Sequence, residues 1–275
     1  MQVLDHWLEN LQPSQRVLDL GCGSGSLNYA HYGTLNVFGV DVVFPKSASR
    51  RLIAVSADGH RLPFAAASFD LIISQHSLEH VHDAGAVLRE MRRVLKPGGN
   101  LYIAVPESTS LTDRLYRFLF CGGGHLQRFT FDGVVQLIEQ ETSLKLIAWK
   151  NLYSSFIYVE RRNFIPAPIG KFPGPFPRRM RWLGRLPDVA FRAVKVTLNV
   201  ASRLSDNWFH TRLSRDGWAL TFDSSGNTCS EERPYPAVCM TCGTASLLQA
   251  CQRPNWYSYK CSSCGQLNPY VAMRV

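Results

Sequence analysis

The sequence predicts an α/β fold: a doubly wound, mostly parallel sheet of seven strands, a basic and partly helical insert, and a small C-terminal module. Three observations carry this. Over residues 4–152, short apolar runs of strand length alternate with segments of helical periodicity, the pattern of a parallel sheet covered on both faces. The first apolar run leads into three glycines at alternate positions, Gly21, Gly23 and Gly25. Two Cys-x-x-Cys pairs lie near the C-terminus, outside the alternating part.

Taken in order, residues 4–11 predict a short helix that runs into Pro13. Arg16-Val17-Leu18-Asp19-Leu20 is the first strand. Asn36-Val37-Phe38-Gly39-Val40-Asp41 is the second, and residues 52–58 the third; each ends in an acid, Asp41 and Asp58. Residues 69–74 form a fourth. Residues 81–95 have helical spacing, with Val87, Leu88, Met91, Val94 and Leu95 on one face. Lys96-Pro97-Gly98-Gly99 stops that helix and turns the chain into a fifth strand, 101–106. Thr130-Phe131-Asp132 opens a helix through Gln140, and residues 144–152 read as a sixth strand. Six prolines make residues 161–187 an extended connector. Residues 189–204 predict a helix with Phe191, Val194, Leu198 and Ala201 on one face, and residues 217–222 a seventh strand. The domain boundaries follow: 1–222 with its insert 153–216, a linker at 223–232, and a module at 233–275.

The composition, 45% hydrophobic and 19% charged, is that of a globular protein and excludes a collagen-like or generally disordered chain. No basic, then apolar, leader opens the sequence and no run of 18 uncharged apolar residues occurs, so the cytoplasm is the expected compartment. The net charge of +9 is local. Residues 161–216 hold 12 Lys/Arg against three acids, and the rest of the chain balances 18 against 18. That segment points to an anionic partner, either an acidic membrane surface or RNA.

The chemistry-bearing residues gather at strand ends. Glycines at 21, 23 and 25 let backbone approach a ligand and turn tightly. The dehydrogenase spelling G-x-G-x-x-G/A fails here, because the sixth position from Gly21 is Ser26. A carboxylate at Asp41, 16 residues after Gly25, can accept both hydrogen bonds of a ribose diol. Asp58, in Ala57-Asp58-Gly59, can accept from an adenine amino group.

The series VLDLGCGSG, GVD, SADGHRLPF, SFDLIISQHSLEHV and VLREMRRVLKPGGNLYIAVP resembles the class I S-adenosylmethionine-dependent methyltransferases. The likeness covers residues 4–152, with 217–222 resembling the last strand. It is nearest the group holding the ubiquinone- and menaquinone-biosynthesis C-methyltransferases and many small-molecule O-methyltransferases. The resemblance implies a Rossmann-like fold and S-adenosylmethionine as cofactor. It implies that Gly21, Cys22 and Gly23 line the methionine part, with Asp19 and Gly25 in the same loop. It further implies that Asp41 holds the ribose, that Asp58 and Gly59 face adenine, and that Ser74 and Gln75 flank the transferring methyl. The sequence departs from the family after Asp41: Pro45 sits where a helix usually begins, and 16 residues separate Asp41 from Asp58, so that helix is expected to be short or absent.

Methyl transfer to oxygen or carbon also needs a base, a task that suits histidine. The candidates are His76, just after the fourth strand, and His125, which follows three glycines; His80 reads as structural. The N/D-P-P-Y/F stretch common in amino-methyltransferases is absent after the fourth strand, as is the Pro-Cys of cytosine C5 enzymes.

Cys239-x-x-Cys242-Gly243 and Cys261-x-x-Cys264-Gly265, with 18 residues between the pairs, have the spacing of a four-thiolate zinc site. Four thiolates close the coordination shell, so such a zinc is structural; the module resembles the zinc ribbons. The expected activity is methylation of an oxygen on a small-molecule, glycan or lipid-linked acceptor. The alternatives are an RNA methyltransferase gripping RNA through ribbon and insert, and a cofactor-binding protein without turnover.

Overall fold

The computed structural model describes residues 3–23, 26–27, 29, 36–43, 52–119, 124–154, 156, 158–164, 178–225, 230–231, 237–238, 245–246, 258–260, 265 and 267–269. They fall in two compact units. The first comprises Met1–Pro106, Leu126–Lys150 and Trp218–Glu232, the second Glu107–His125, Asn151–Gly217 and Arg233–Val275.

The first unit holds the sheet. Helix α1 (Val3–Asn10) precedes β1 (Arg16–Leu20), β2 (Asn36–Asp41), β3 (Ile53–Ser56) and β4 (Phe69–Gln75). Helix α2 (Ala84–Val94), β5 (Leu95–Pro106), α3 (Leu111–Leu119), α4 (Phe131–Thr142), β6 (Lys145–Tyr153), α5 (Asp188–Phe209), β7 (Arg215–Asp223) and the two-residue β8 (Ser230–Glu231) follow. The sheet order is β3-β2-β1-β4-β5-β7-β6-β8. The pairs β2–β3, β1–β2, β1–β4 and β4–β5 are parallel. The order reverses between β1 and β4, so the carboxyl ends of these two strands frame the switch point of a doubly wound sheet, the place where such folds bind ligands. The seven expected strands are present. The eighth, β8, pairs in parallel with β6 at Ala148 and Trp149 and falls inside the segment expected to be a linker.

The core forms where the apolar pattern places it. Helix α2 buries Val87, Leu88, Met91 and Val94 against Leu18, Leu20, Ile72 and Leu101, each fully buried side chain contributing about 1.5–3 kcal/mol. The Asp83 carboxylate caps α2 by accepting from the Ala86 N–H. The Thr130 hydroxyl does the same for α4 through the Gly133 N–H. The Lys96-Pro97-Gly98-Gly99 segment is not the separate turn the sequence suggests. Strand β5 already begins at Leu95 opposite Phe69, and pairing resumes at Asn100 opposite Leu71. The intervening residues bulge out, with Gly98 at φ 74°. An anchor holds the bulge: Lys96 Nζ donates to both Asp70 oxygens at 2.8 and 2.9 Å, while Asp70 also accepts the Arg16 N–H at 2.8 Å.

The second unit has its own core of Leu119, Phe156, Val159, Phe164 and Phe191, with Leu115, Tyr116, Leu183 and Leu198 packed against it. Helix α3, which the sequence reading missed, supplies three of these. Its signal was the cap: the Ser110 hydroxyl accepts from the Asp113 N–H at 3.0 Å. The proline-rich stretch is not simply an extended connector. Arg161–Phe164 and Arg178–Arg185 are 3-10 helices, and the Phe164 ring stacks on Phe191 at 5.1 Å. Five of the six prolines fall in residues 165–177, which lie outside the described residues.

The face assigned to the long helix also needs correction. Helix α5 buries Phe191, Lys195, Asn199, Ser202 and Arg203, while Val194 is exposed. A polar face can turn inward here because Lys195 is paired: its Nζ donates to Glu160 Oε1 at 3.0 Å.

Two short antiparallel pairs, β9 (Ala237–Val238) with β10 (Ala245–Ser246) and β11 (Ser258–Lys260) with β12 (Leu267–Pro269), belong to the C-terminal module. Among the described residues no helix is long and apolar enough to cross a membrane.

Candidate functional site

Residues singled out in the sequence converge on the carboxyl ends of β1, β2 and β4. The first turn after β1 is held in place from below: the Gly21 and Cys22 N–H groups both donate to Val40 O, at 2.8 and 3.2 Å. Gly21 and Gly23 have φ of 70° and 51°, a region glycine enters without strain. Gly21 is also sterically fixed, because a Cβ there would lie 2.2 Å from Ser77 Cβ. Among the described residues nothing lies within 4 Å of the Cβ position over Gly23.

Two carboxylates shape the turn. Asp19 is fully buried, and its oxygens accept from the Ser26 N–H and hydroxyl. Burial pushes its carboxyl up against these hydrogen bonds. Asp19 therefore ties the two ends of the glycine turn together. Asp41 accepts the Gly23 N–H on Oδ2 at 2.9 Å and the Val43 N–H on Oδ1 at 3.2 Å. One backbone donor on each oxygen fixes the carboxylate plane and leaves a lone pair on each for a ligand diol. Cys22 sits between them. Burial, then the charges of Asp19 and Asp41, push its thiol up to about 12, so it stays protonated and packs rather than reacts. Gly39 makes room for it: a Cβ there would lie 2.8 Å from Cys22 Sγ.

Asp58 and Gly59 follow β3, whose register pairs Ser56 with Asp41. The exposed Asp58 carboxylate accepts the His60 N–H at 2.9 Å and meets His60 Nδ1 at 2.6 Å, hydrogen bonds that hold it below the usual carboxylate range. Gly25 and residues 44–51, where a helix was expected to be short or absent, lie outside the described residues.

Ser74 and Gln75 end β4 beside β1. The Ser74 and Ser77 hydroxyls are 2.7 Å apart, and Ser77 donates to Leu20 O at 3.0 Å. Gln75 Oε1 is buried without a partner in the described protein, an acceptor that a ligand N–H would satisfy. His76 follows at φ 50°, its N–H donating to Ala104 O at 2.9 Å. Its ring is half-exposed, with Nδ1 3.6 Å from Glu79 Oε1, and Glu79 itself is buried. Burial pushes the Glu79 carboxyl up, but His76 and His80 outweigh it and hold it below its ordinary value. Glu79 had no sequence signal beyond its place three residues after His76.

His125 belongs to the second unit. Its Nδ1 lies 2.7 Å from Asp113 Oδ1, and Arg117 donates to Asp113 Oδ2 and to His125 O. Tyr116 stacks on the ring at 4.7 Å. Cys239, Cys242, Cys261 and Cys264 lie outside the described residues, but each pair falls between the two strands of one antiparallel pair, and Gly265, next after Cys264, has φ 71°.

Residues 18–103 match the Methyltransferase domain family. These residues span β1 to β5 and every part of the strand-end site. Demethylmenaquinone methyltransferase of Corynebacterium glutamicum is 36% identical over 100 residues, 34% of this chain and 43% of that protein. The 27-O-demethylrifamycin SV methyltransferase of Amycolatopsis mediterranei is 29% identical over 152 residues, 49% of this chain and 54% of that one. The chain thus spans from a third to about half the length of the curated relatives it matches. A solved protein of Anabaena variabilis, described as a candidate methyltransferase from an antibiotic biosynthesis pathway, superposes with a TM-score of 0.51 at 16% identity, covering 80% of this chain and 94% of that one. The fold is the Rossmann-like fold of methyltransferases.

Proposed function

We propose that the chain is an S-adenosylmethionine-dependent methyltransferase that methylates an oxygen on a small-molecule, glycan or lipid-linked acceptor. The observation that carries this reading is the locked glycine turn between two carboxylates, Asp19 beneath it and Asp41 beside it. A site this acidic suits a cationic sulfonium and opposes the pyrophosphate of a dinucleotide. The two named relatives, both small-molecule methyltransferases by name, support the choice of acceptor class.

In this reading Asp41 takes the ribose diol, Asp58 and Gly59 face adenine, and Gly21, Cys22 and Gly23 line the methionine part. Gly25 and Asp19 complete the turn. Ser74 and the unpartnered Gln75 acceptor border the reacting methyl. Bound there, the cofactor supplies an electrophilic methyl group for in-line displacement. The protein orients the acceptor and excludes water. His76 takes the acceptor proton, with the Glu79 carboxylate stabilising the imidazolium that results. His125, oriented by Asp113, is the second candidate base. A structural zinc on Cys239, Cys242, Cys261 and Cys264 fits the paired strands flanking each Cys-x-x-Cys.

Calorimetry with S-adenosylmethionine, followed by a methyl-acceptor screen, tests the reading. Asp41→Ala is expected to weaken cofactor binding at least tenfold, since hydrogen bonds to a charged group contribute about 1.5–3 kcal/mol. Unchanged affinity in that variant would remove Asp41 as the ribose ligand, and no binding by the unaltered protein would remove the reading itself.

A further inference from the structure

We propose that the C-terminal end of α5 docks on an anionic lipid bilayer and seats a lipid phosphate in a cavity of its own. The cavity, about 280 Å³, is lined by Tyr153, Asn207, His210, Thr211, Arg212 and Arg215. One carboxylate, Asp206, shares the wall, but it is turned to the loop. Its Oδ1 accepts from Thr211 Oγ1 at 2.6 Å and the Leu213 N–H at 2.7 Å, and its Oδ2 accepts from the Ser214 N–H at 3.0 Å. Among the described residues Arg212 and Arg215 have no ion pair. Two guanidinium groups beside a polar cavity outweigh its one carboxylate and suit a phosphate oxyanion.

The residues next in the chain to the cavity's lining point to the source of that phosphate. Trp208 and Phe209, in the last turn of α5, are 68% and 73% exposed, and Leu213 is 38% exposed. Adjacent large apolar side chains left this open mark a binding surface. Indole and phenyl rings at the end of a helix, flanked by arginines, are the side chains that enter the boundary between headgroups and acyl chains. A free phosphate would need the arginines but not the rings. RNA would use both, but Leu213 offers it nothing to stack on. Helix α5 ends in a left-handed residue, His210, at φ 53°, so the rings and the cations of 210–215 share one tip. The local excess of positive charge in the sequence of 161–216 adds long-range attraction to an acidic surface. This goes beyond the methyl-transfer reading and does not depend on it, because vesicle binding needs no turnover.

The experiment is flotation with vesicles of phosphatidylcholine alone or mixed with phosphatidylglycerol, at low and high salt. Binding is expected only to the mixed vesicles and to weaken with salt. R212Q/R215Q is expected to bind about thirtyfold more weakly, and W208S/F209S to stay unbound. Both variants should keep the circular dichroism spectrum and melting temperature of the unaltered protein, which separates loss of docking from loss of fold. Equal binding to pure phosphatidylcholine would overturn the proposal, as would unchanged binding by either variant. A dimer that dissolves in W208S/F209S while vesicles are ignored would overturn it in favour of a second copy. Salt-sensitive binding to an RNA hairpin without vesicle binding would overturn it in favour of RNA.

Discussion

Gly21 is the residue where backbone and side-chain constraints meet. Its φ of 70° strains any side chain, and a Cβ there would collide with Ser77 Cβ. Gly21→Ala is therefore expected to lower stability by about 1–3 kcal/mol and to displace the turn that carries the Gly23 N–H to Asp41. Adding Ser77→Gly removes the clash but not the φ penalty, so the double variant should recover only part of the melting temperature. Full recovery would mean the backbone conformation costs nothing, and no recovery would mean Ser77 is not the obstacle. Cys22 is the opposite case. A cysteine in a ligand-binding turn invites a nucleophilic reading, yet burial beside two carboxylates keeps its thiol protonated. The unaltered protein is expected to resist thiol alkylation at Cys22 at neutral pH, which mass mapping of alkylated peptides would check.

At the scale of elements, the clamp on α3 shows how a polar cluster holds the second unit. Asp113 is fully buried between Arg117 and His125. Burial pushes its carboxyl up, but the hydrogen bonds from His125 and Arg117 prevail and hold it below the ordinary value of 3.8. A carboxyl depressed by folding adds stability that is complete above the unfolded value and is lost as pH falls through the folded one. Stability should thus decline below about pH 4. Asp113→Asn is expected to cost about 3 kcal/mol at neutral pH, because it leaves Arg117 without its buried partner, and to flatten the acid branch of the curve. Urea titrations at neutral and acid pH measure both. An Asp113→Asn curve parallel to the unaltered one would show that this carboxyl does not titrate on unfolding. Helix α5 repeats the lesson: spacing alone chose Val194 for the interior, while the Glu160 partner turned Lys195 inward.

On the scale of the whole molecule, the first unit and the C-terminal module differ in what stabilises them. The first rests on a sheet core that an alternating pattern specifies by itself. Among its described residues the C-terminal module has strands of two or three residues, and pairs this short call for a cross-link. It is expected to bind about one zinc per chain and to unfold on chelation while the first unit keeps its helix and sheet signal. Metal analysis and circular dichroism with a chelator check this; a protein free of zinc would remove the four-thiolate site.

The sequence by itself determined the sheet, the glycine turn and the acids at strand ends. These depend on residues close together in the chain: apolar runs of strand length, glycines at alternate positions, and an acid closing the second and the third strand. That Asp41, Asp58 and the glycine turn would gather at one edge was legible too, since parallel strands put their carboxyl ends on the same side. Only the tertiary structure decided that Asp19 faces Ser26, that Glu79 stands behind His76, that the Lys96–Gly99 segment is a bulge pinned by Asp70, and that α5 buries its polar side. Each of these rests on a partner distant along the chain or on the balance between burying a charge and pairing it. Neither leaves a period in the sequence, because desolvation and ion pairing are settled only when two elements meet.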